Sequence, residues 1–320
     1  MGSLPESIRV EVPVIDISGY LKGDKAQAAK VANELRSACQ SPGFFQIIGH
    51  KVSADLRTQL LVKLAEFFAL PATAKKELHR SQSKCLRGYE SVGEQRLEST
   101  FSDQKEGFMI GPELPADARF LQGPNQWPSE EMIPGFREIF TTYFDQVLEL
   151  SKTMFRLMAL SLDLDEEYFD NFVGSRDSIP MCRAHRYPPT TSEMAQRTRG
   201  IGAHSDFGAL TLLLQDNIGG LEVFHKPTQS WHSVTPVKDA FVVNIGDMME
   251  RWTNNMYTST LHRVISPVTS KDRYSVAFFN EGLLDQIIEC IPTCLRPGEQ
   301  PLYEPIRAED HLRQRYGTSY

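Results

Sequence analysis

Two histidines and an aspartate are the residues whose types and spacing point most directly to chemistry. His204 and Asp206 stand one residue apart, and His262 follows only after residues 207–261. In an extended strand, side chains i and i+2 share a face, so His204 and Asp206 point together while Ser205 points away. The interval before His262 is too long for a local loop and suits a ligand arriving from another strand of a sheet folded back on itself. Two neutral imidazoles and one carboxylate leave about half of a six-coordinate iron unclaimed, so the set reads as a mononuclear iron site with positions open for a cosubstrate and oxygen. Ser205 does not turn this segment into a hydrolase triad, because neighbouring side chains on a strand diverge and a nucleophile and base cannot meet there.

A second group lies just beyond the third of these residues. From Arg273 the chain runs Arg-Tyr-Ser-Val-Ala-Phe-Phe, rich in the β-branched and aromatic residues that favour strands. Period two puts Arg273, Ser275, Ala277 and Phe279 on one face. A guanidinium with a hydroxyl one pleat further on is suited to hold a carboxylate by paired charge-assisted hydrogen bonds. A dicarboxylate could chelate the metal at one end and reach Arg273 at the other. Zinc competes as the metal, since two histidines and a carboxylate also make a catalytic zinc set and zinc is the tighter binder by the Irving–Williams trend. A zinc hydrolase, however, has no use for a carboxylate clamp one strand away, and Arg273 with Ser275 favours iron.

With these residues in place, the chain resembles the 2-oxoglutarate and Fe(II)-dependent dioxygenases of the isopenicillin N synthase-like family over nearly its whole length. The likeness extends to Tyr187 in an Arg-Tyr-Pro-Pro run, to Pro-Val-Ile-Asp-Ile-Ser at 13–18, to Gly-Phe-Phe-Gln-Ile-Ile-Gly-His at 43–50 and to Lys-Glu-Gly-Phe at 105–108. The resemblance implies that His204, Asp206 and His262 bind Fe(II), and that Arg273, Ser275 and Tyr187 hold the far carboxylate of 2-oxoglutarate. It implies oxidation of a small organic substrate by O2, by hydroxylation, desaturation or ring chemistry, with release of succinate and CO2. By family analogy the substrate is a natural-product intermediate. Many plant relatives carry an asparagine at the position of His185, which makes His185 a further candidate for cosubstrate contact. Phe279 is expected to face the substrate, and Tyr89, Phe108 and Trp252 are added as pocket candidates. Two alternatives stay open: an oxidase of the same family that uses no 2-oxoglutarate, and a catalytically silent relative that binds a small molecule.

Composition narrows the partners. The 320 residues carry a formal charge of -7 with no basic stripe, which argues against nucleic acid and against anionic membrane surfaces. Five cysteines, an odd number without zinc-type spacing, suit a reduced, cytoplasmic chain. The N-terminus lacks the basic start and apolar run of a signal peptide. Met1-Gly2 fails the myristoylation pattern because Glu6 stands where Ser or Thr is needed. No apolar run reaches membrane-spanning length. A small-molecule substrate is the expected partner, and a monomer is marginally preferred with the oligomeric state otherwise open.

Elements that position these residues follow from periodicity. Helices are expected over Gln27 to Gln40, from a Ser53 cap to Pro71, over the long stripe Phe136 to Leu162, over Asp165 to Val173, and over Glu309 to Tyr316. Residues 84–134 show no sustained period and read as loops and short pieces that could wall a pocket. Strands are expected at Phe44 to Ile48 and, after about Met181, at Ala209 to Gln215, Leu221 to Phe224, Trp231 to Thr235, Ala240 to Ile245, Thr260 to Ile265 and Arg273 to Asn280. Many short strands between Gly and Pro turns mean a sandwich or barrel. The family resemblance selects a mainly β fold with helices, a double-stranded β-helix or jelly roll braced by N-terminal and central helices. The expected division is 1–115 for an N-terminal mixed αβ region of the non-haem dioxygenase kind, 116–176 for bracing helices, 177–283 for the jelly-roll core and 284–320 for a tail with a helix.

Overall fold

Two β-sheets face each other across the middle of the molecule, and helices pack on the outer side of the larger one. The computed structural model describes residues 12–98, 101–116 and 119–319; Met1, Gly2 and Glu6, on which the lipidation reading rests, lie outside the described residues. The larger sheet runs in the order Val14–Asp16, Phe44–Ile48, Phe241–Ile245, Leu210–Gln215, Arg273–Leu283, Ser178–Tyr187, Glu106–Ile110 and Gly88–Glu90. The smaller runs Ser230–Ser233, Leu221–His225, His262–Val264 and Ile201–His204. Strands far apart in the chain are thus neighbours in space, as in the expected jelly roll. Strands of the N-terminal region complete both edges of the large sheet.

The strand Arg273–Leu283 shows how the sequence sorts side chains between core and cavity. Val276 and Phe278 are fully buried against the outer helices, where the Phe278 ring lies 5.4 Å from that of Phe144. On the same face, Asn280 Nδ2 donates to Ser151 Oγ (3.3 Å) on the long helix Phe136–Ser161. Its other face turns Arg273, Ser275, Ala277 and Phe279 into the space between the sheets. One strand therefore anchors the bracing helix and presents the polar group, by period two alone.

Caps fix the helices where the sequence places them. Asp24 accepts from the Ala26 and Gln27 N–H groups (2.9 and 3.1 Å) ahead of Lys25–Gln40, and Ser53 Oγ accepts from Leu56 N–H (3.3 Å) ahead of Ala54–Phe68. The tail helix is longer than expected, Ala308–Ser319, and the helix expected from Asp165 begins only at Asp170–Gly174. Among the described residues no helix is long and apolar enough to cross a membrane.

Among the short pieces of residues 84–134 are two sheet strands. Gly88–Glu90 and Glu106–Ile110 form the far edge of the large sheet, and every residue of both strands is buried. Their polar residues hid them, because burial of Glu106 is offset by Lys75 Nζ (2.7 Å), Arg186 (2.6 Å) and the Tyr89 hydroxyl (2.7 Å). The register pairs Tyr89 with Phe108, and Phe108 with Ala184, on the core face. Phe108 is fully buried against Phe67 and Phe136, with ring centroids at 4.5 and 5.6 Å. Phe108→Ala should therefore lower stability by about 3–5 kcal/mol, read from urea denaturation midpoints, without changing cosubstrate affinity. A loss below about 1 kcal/mol would contradict the packing described.

Candidate metal and cosubstrate site

His204 and His262 sit directly opposite each other on adjacent antiparallel strands of the smaller sheet. Their ring centroids are 4.2 Å apart. Each ring is turned by its own backbone: His204 Nδ1–H donates to Gly202 O (2.8 Å) and His262 Nδ1–H to Thr260 O (3.1 Å). A carbonyl only accepts, so the proton resides on Nδ1 and each Nε2 offers a lone pair to the space between the sheets. Gly202 is itself pinned, its N–H donating to Asp103 Oδ1 (2.9 Å).

Asp206 follows the strand end and reaches toward the larger sheet. Its Oδ2 accepts from Thr211 Oγ1 (2.5 Å) on Leu210–Gln215 and from Asn244 Nδ2 (2.7 Å) on Phe241–Ile245. The other oxygen, Oδ1, is left 3.7 Å from His204 Nε2 and 3.6 Å from His262 Nε2. One donor atom from each residue lies within 4.8 Å of the others, and this is the one such trio of His, Cys, Asp or Glu among the described residues. Backbone around the carboxylate is tightly packed. A Cβ on Gly246 would come within 2.2 Å of Gly208 O, so only glycine admits that approach.

Electrostatics favour the ligating forms. Burial, and next the charge of His262, push His204 down to about 4, so it stays neutral at physiological pH. Burial alone would raise Asp206; the two imidazoles and the hydrogen bonds from Asn244 and Thr211 outweigh it and hold the carboxyl below its ordinary range. Two imidazole nitrogens and one anionic oxygen, converging on one point, fit a divalent iron. The three donors leave the remaining directions to the cavities on either side.

Two cavities meet at this trio and share His185, Ile201, His204, Asp206 and Phe279. One is closed at its far end by Tyr187, Arg273 and Ser275. Arg273 is fully buried, its guanidinium 4.7 Å over the Tyr187 ring, and it donates to Gln215 Oε1 (3.0 Å) and Ser275 Oγ (3.4 Å). Its Nε has no hydrogen-bond partner, and no carboxylate pairs with it among the described residues. A buried guanidinium without a counter-ion is costly, and the far carboxylate of a dicarboxylic acid would complete its pairing. Tyr187 and Ser275 stand beside it, their oxygens 3.4 Å apart. His185, paired with Ser275 across the strands, lines both cavities with Nε2 unpartnered.

The other cavity is lined by Gln95, Leu97, Met109, Arg183, Phe207, Glu281 and Tyr316 besides the shared residues. Phe279 is there, as expected. The other three pocket candidates are not. Tyr89 and Phe108 are one residue out of phase: the register turns both to the core and gives the cavity Met109 instead. Trp252 ends the unanticipated helix Asp247–Trp252 and is buried between Phe169 and Phe172, at 5.1 and 4.9 Å. Glu281 was overlooked although it continues the stripe of Arg273, Ser275, Ala277 and Phe279. Thr211 and Asn244 carry no local signal, since they reach Asp206 only through the sandwich.

Glu281 also gives this site a pH signature. Burial, then the charge of Asp206, push its carboxyl up from the ordinary 4.5 to about 8. Between those values the folded, metal-free protein keeps a proton that the unfolded chain has released, so this contribution is full below about pH 4.5 and drains as pH rises toward 8. Glu281→Gln cannot titrate, and its melting temperature relative to the wild type should climb from about pH 5 to about pH 8 in chelator. A difference that stays flat across that range would contradict the assignment.

Comparisons with known proteins agree with this geometry. Residues 178–282 match the 2OG-Fe(II) oxygenase superfamily, and residues 12–130 match the family described as non-haem dioxygenase in morphine synthesis N-terminal. The 2-oxoglutarate-Fe(II) type oxidoreductase hxnY of Emericella nidulans is 40% identical, over 96% of this chain and 90% of its own. Clavatol oxidase claD of Penicillium crustosum is 36% identical, over 97% of this chain and 96% of its own. The crystal structure of a full-length Neurospora crassa protein in complex with alpha-KG superposes with a TM-score of 0.87 at 30% identity, covering 98% of each chain. The chain belongs to the 2-oxoglutarate and Fe(II)-dependent oxygenase superfamily.

Proposed function

We propose that this dioxygenase binds Fe(II) through His204 Nε2, Asp206 Oδ1 and His262 Nε2, and 2-oxoglutarate through Arg273, Ser275 and Tyr187. It oxidises a small organic molecule of the natural-product kind. The observation that carries this reading is the pairing of a three-donor cluster with a fully buried guanidinium that lacks a carboxylate partner among the described residues, at opposite ends of one cavity. An oxidase of the same family would carry the same trio and guanidinium, and succinate formation is what separates the two; a silent binder would be expected to lack a donor, and all three are present.

With Fe(II) bound at the trio, O2 would be the oxidant, taking two electrons from the oxidative decarboxylation of 2-oxoglutarate to succinate and CO2 and two from the substrate. The chain's own part is placement. Thr211 and Asn244 hold one Asp206 oxygen and leave the other to the metal. Backbone carbonyls set the tautomer of both imidazoles. Arg273, over the Tyr187 ring, fixes the distance between the metal and the far carboxylate. Leu97, Met109, Ile201 and Phe279 keep the substrate side largely apolar, which limits water where a C–H bond is attacked. His185 contacts the cosubstrate or the substrate from the wall common to both cavities.

The natural-product reading is supported by relatives such as clavatol oxidase, similar along almost all of the chain. An odd set of five thiols accords with the cytoplasm. Incubation with Fe(II), labelled 2-oxoglutarate, oxygen and a metabolite extract tests the function: succinate should form in an iron-dependent manner. Substrate oxidation without succinate would support the oxidase instead.

A further inference from the structure

Glu281 is a carboxyl that the reaction as derived above does not use. It is 2% exposed, and its Oε2 is enclosed without a hydrogen-bond partner among the described residues. It lines the substrate cavity and is not one of the metal donors. The fold makes room for it, because a Cβ on Gly208 would lie 2.1 Å from that oxygen. Leaving a buried acid unpaired costs free energy that a leucine of similar size would avoid. Arg183, the cation on the same wall, does not relieve it. That guanidinium is bound to Glu90 and to Gln95 Oε1 (3.2 Å).

The position is informative too. Along one face of Arg273–Leu283, the cosubstrate clamp comes first, then Phe279, then Glu281 next to the Asp206 segment. The enclosed oxygen packs against Gly208, and the Glu281 carboxyl lines the substrate cavity amid the side chains of Leu97, Met109, Ile201 and Phe279.

We propose that Glu281 is a specificity-determining residue that accepts a hydrogen bond from an O–H or N–H group of the substrate. The substrate is then a compact, mainly apolar molecule bearing such a donor, for example a hydroxyarene or a lactam. Acceptance needs only a carboxyl oxygen, so it holds for the acid and the carboxylate alike. This inference rests on the reading of the site given above.

The test uses the full chain loaded with Zn(II) and 2-oxoglutarate, which binds without turnover. Ligand-observed NMR compares matched pairs of probes, hydroxyarenes with their methyl ethers and lactams with their N-methyl forms. In the wild type, the donor-bearing member of at least one pair should bind about tenfold or more tighter. Glu281→Gln should keep that preference, because its amide carbonyl accepts. Glu281→Leu should bring the pair within about twofold while 2-oxoglutarate affinity stays at the wild-type value. Equal binding of every pair by the wild type, a preference surviving in Glu281→Leu, or no donor-bearing probe bound at millimolar concentration each overturns the proposal. Failure of the wild type to take 2-oxoglutarate strikes the site reading itself, and the inference falls with it.

Discussion

Asp206→Ala should abolish iron-dependent succinate formation, by at least roughly a thousandfold, and iron should no longer be retained through gel filtration. The size follows from what the residue does: it supplies the single anionic donor, whereas loss of a supporting outer residue costs about 10–100-fold. Asn244→Ala provides that smaller step. It removes one of two hydrogen bonds to Oδ2 and leaves Oδ1 in place, so iron affinity should fall about 10–100-fold with activity recoverable at excess iron. The graded pair distinguishes a metal ligand from a structural carboxylate. Equal effects in both variants, or retained iron in Asp206→Ala, would contradict the arrangement.

The second large effect concerns Arg273. Arg273→Leu should raise the apparent KM for 2-oxoglutarate by about 100-fold or more, and Arg273→Lys by about 10–100-fold, because a point charge cannot reproduce a planar fork of donors. Stability should move the other way. In the absence of cosubstrate, a fully buried guanidinium without a carboxylate partner among the described residues is a burden on the fold, so the metal-free melting temperature of Arg273→Leu should equal or exceed that of the wild type. Loss of cosubstrate affinity together with a gain in stability marks a ligand clamp. A variant that melts lower with unchanged KM would mark a structural arginine instead.

Much of this site was legible in the sequence because it rests on period two. His204 with Asp206, and Arg273 with Ser275 and Phe279, are each fixed by alternation within one short segment. Phe108 and Tyr89 turn to the core instead, and no local signal says which face of a strand meets the cavity. The register with Ser178–Tyr187 decides that, and it selects Met109. Trp252 was misread for a related reason: the short helix that carries it follows a glycine required by a backbone contact with Gly208, which has no local signature. Glu106–Ile110 escaped notice because the ion pairs that make its burial tolerable come from Lys75 and Arg186 elsewhere in the chain. Thr211, Asn244 and Tyr316 reach the centre only through tertiary packing.

A crystal grown anaerobically with Fe(II) and 2-oxoglutarate reads out the convergence of the His204, Asp206 and His262 side chains. Anomalous scattering at the iron edge should place one ion within coordination distance of His204 Nε2, Asp206 Oδ1 and His262 Nε2, with the far carboxylate of the oxo acid on Arg273. Iron bound elsewhere, or an oxo acid whose far carboxylate does not meet Arg273, would contradict the account.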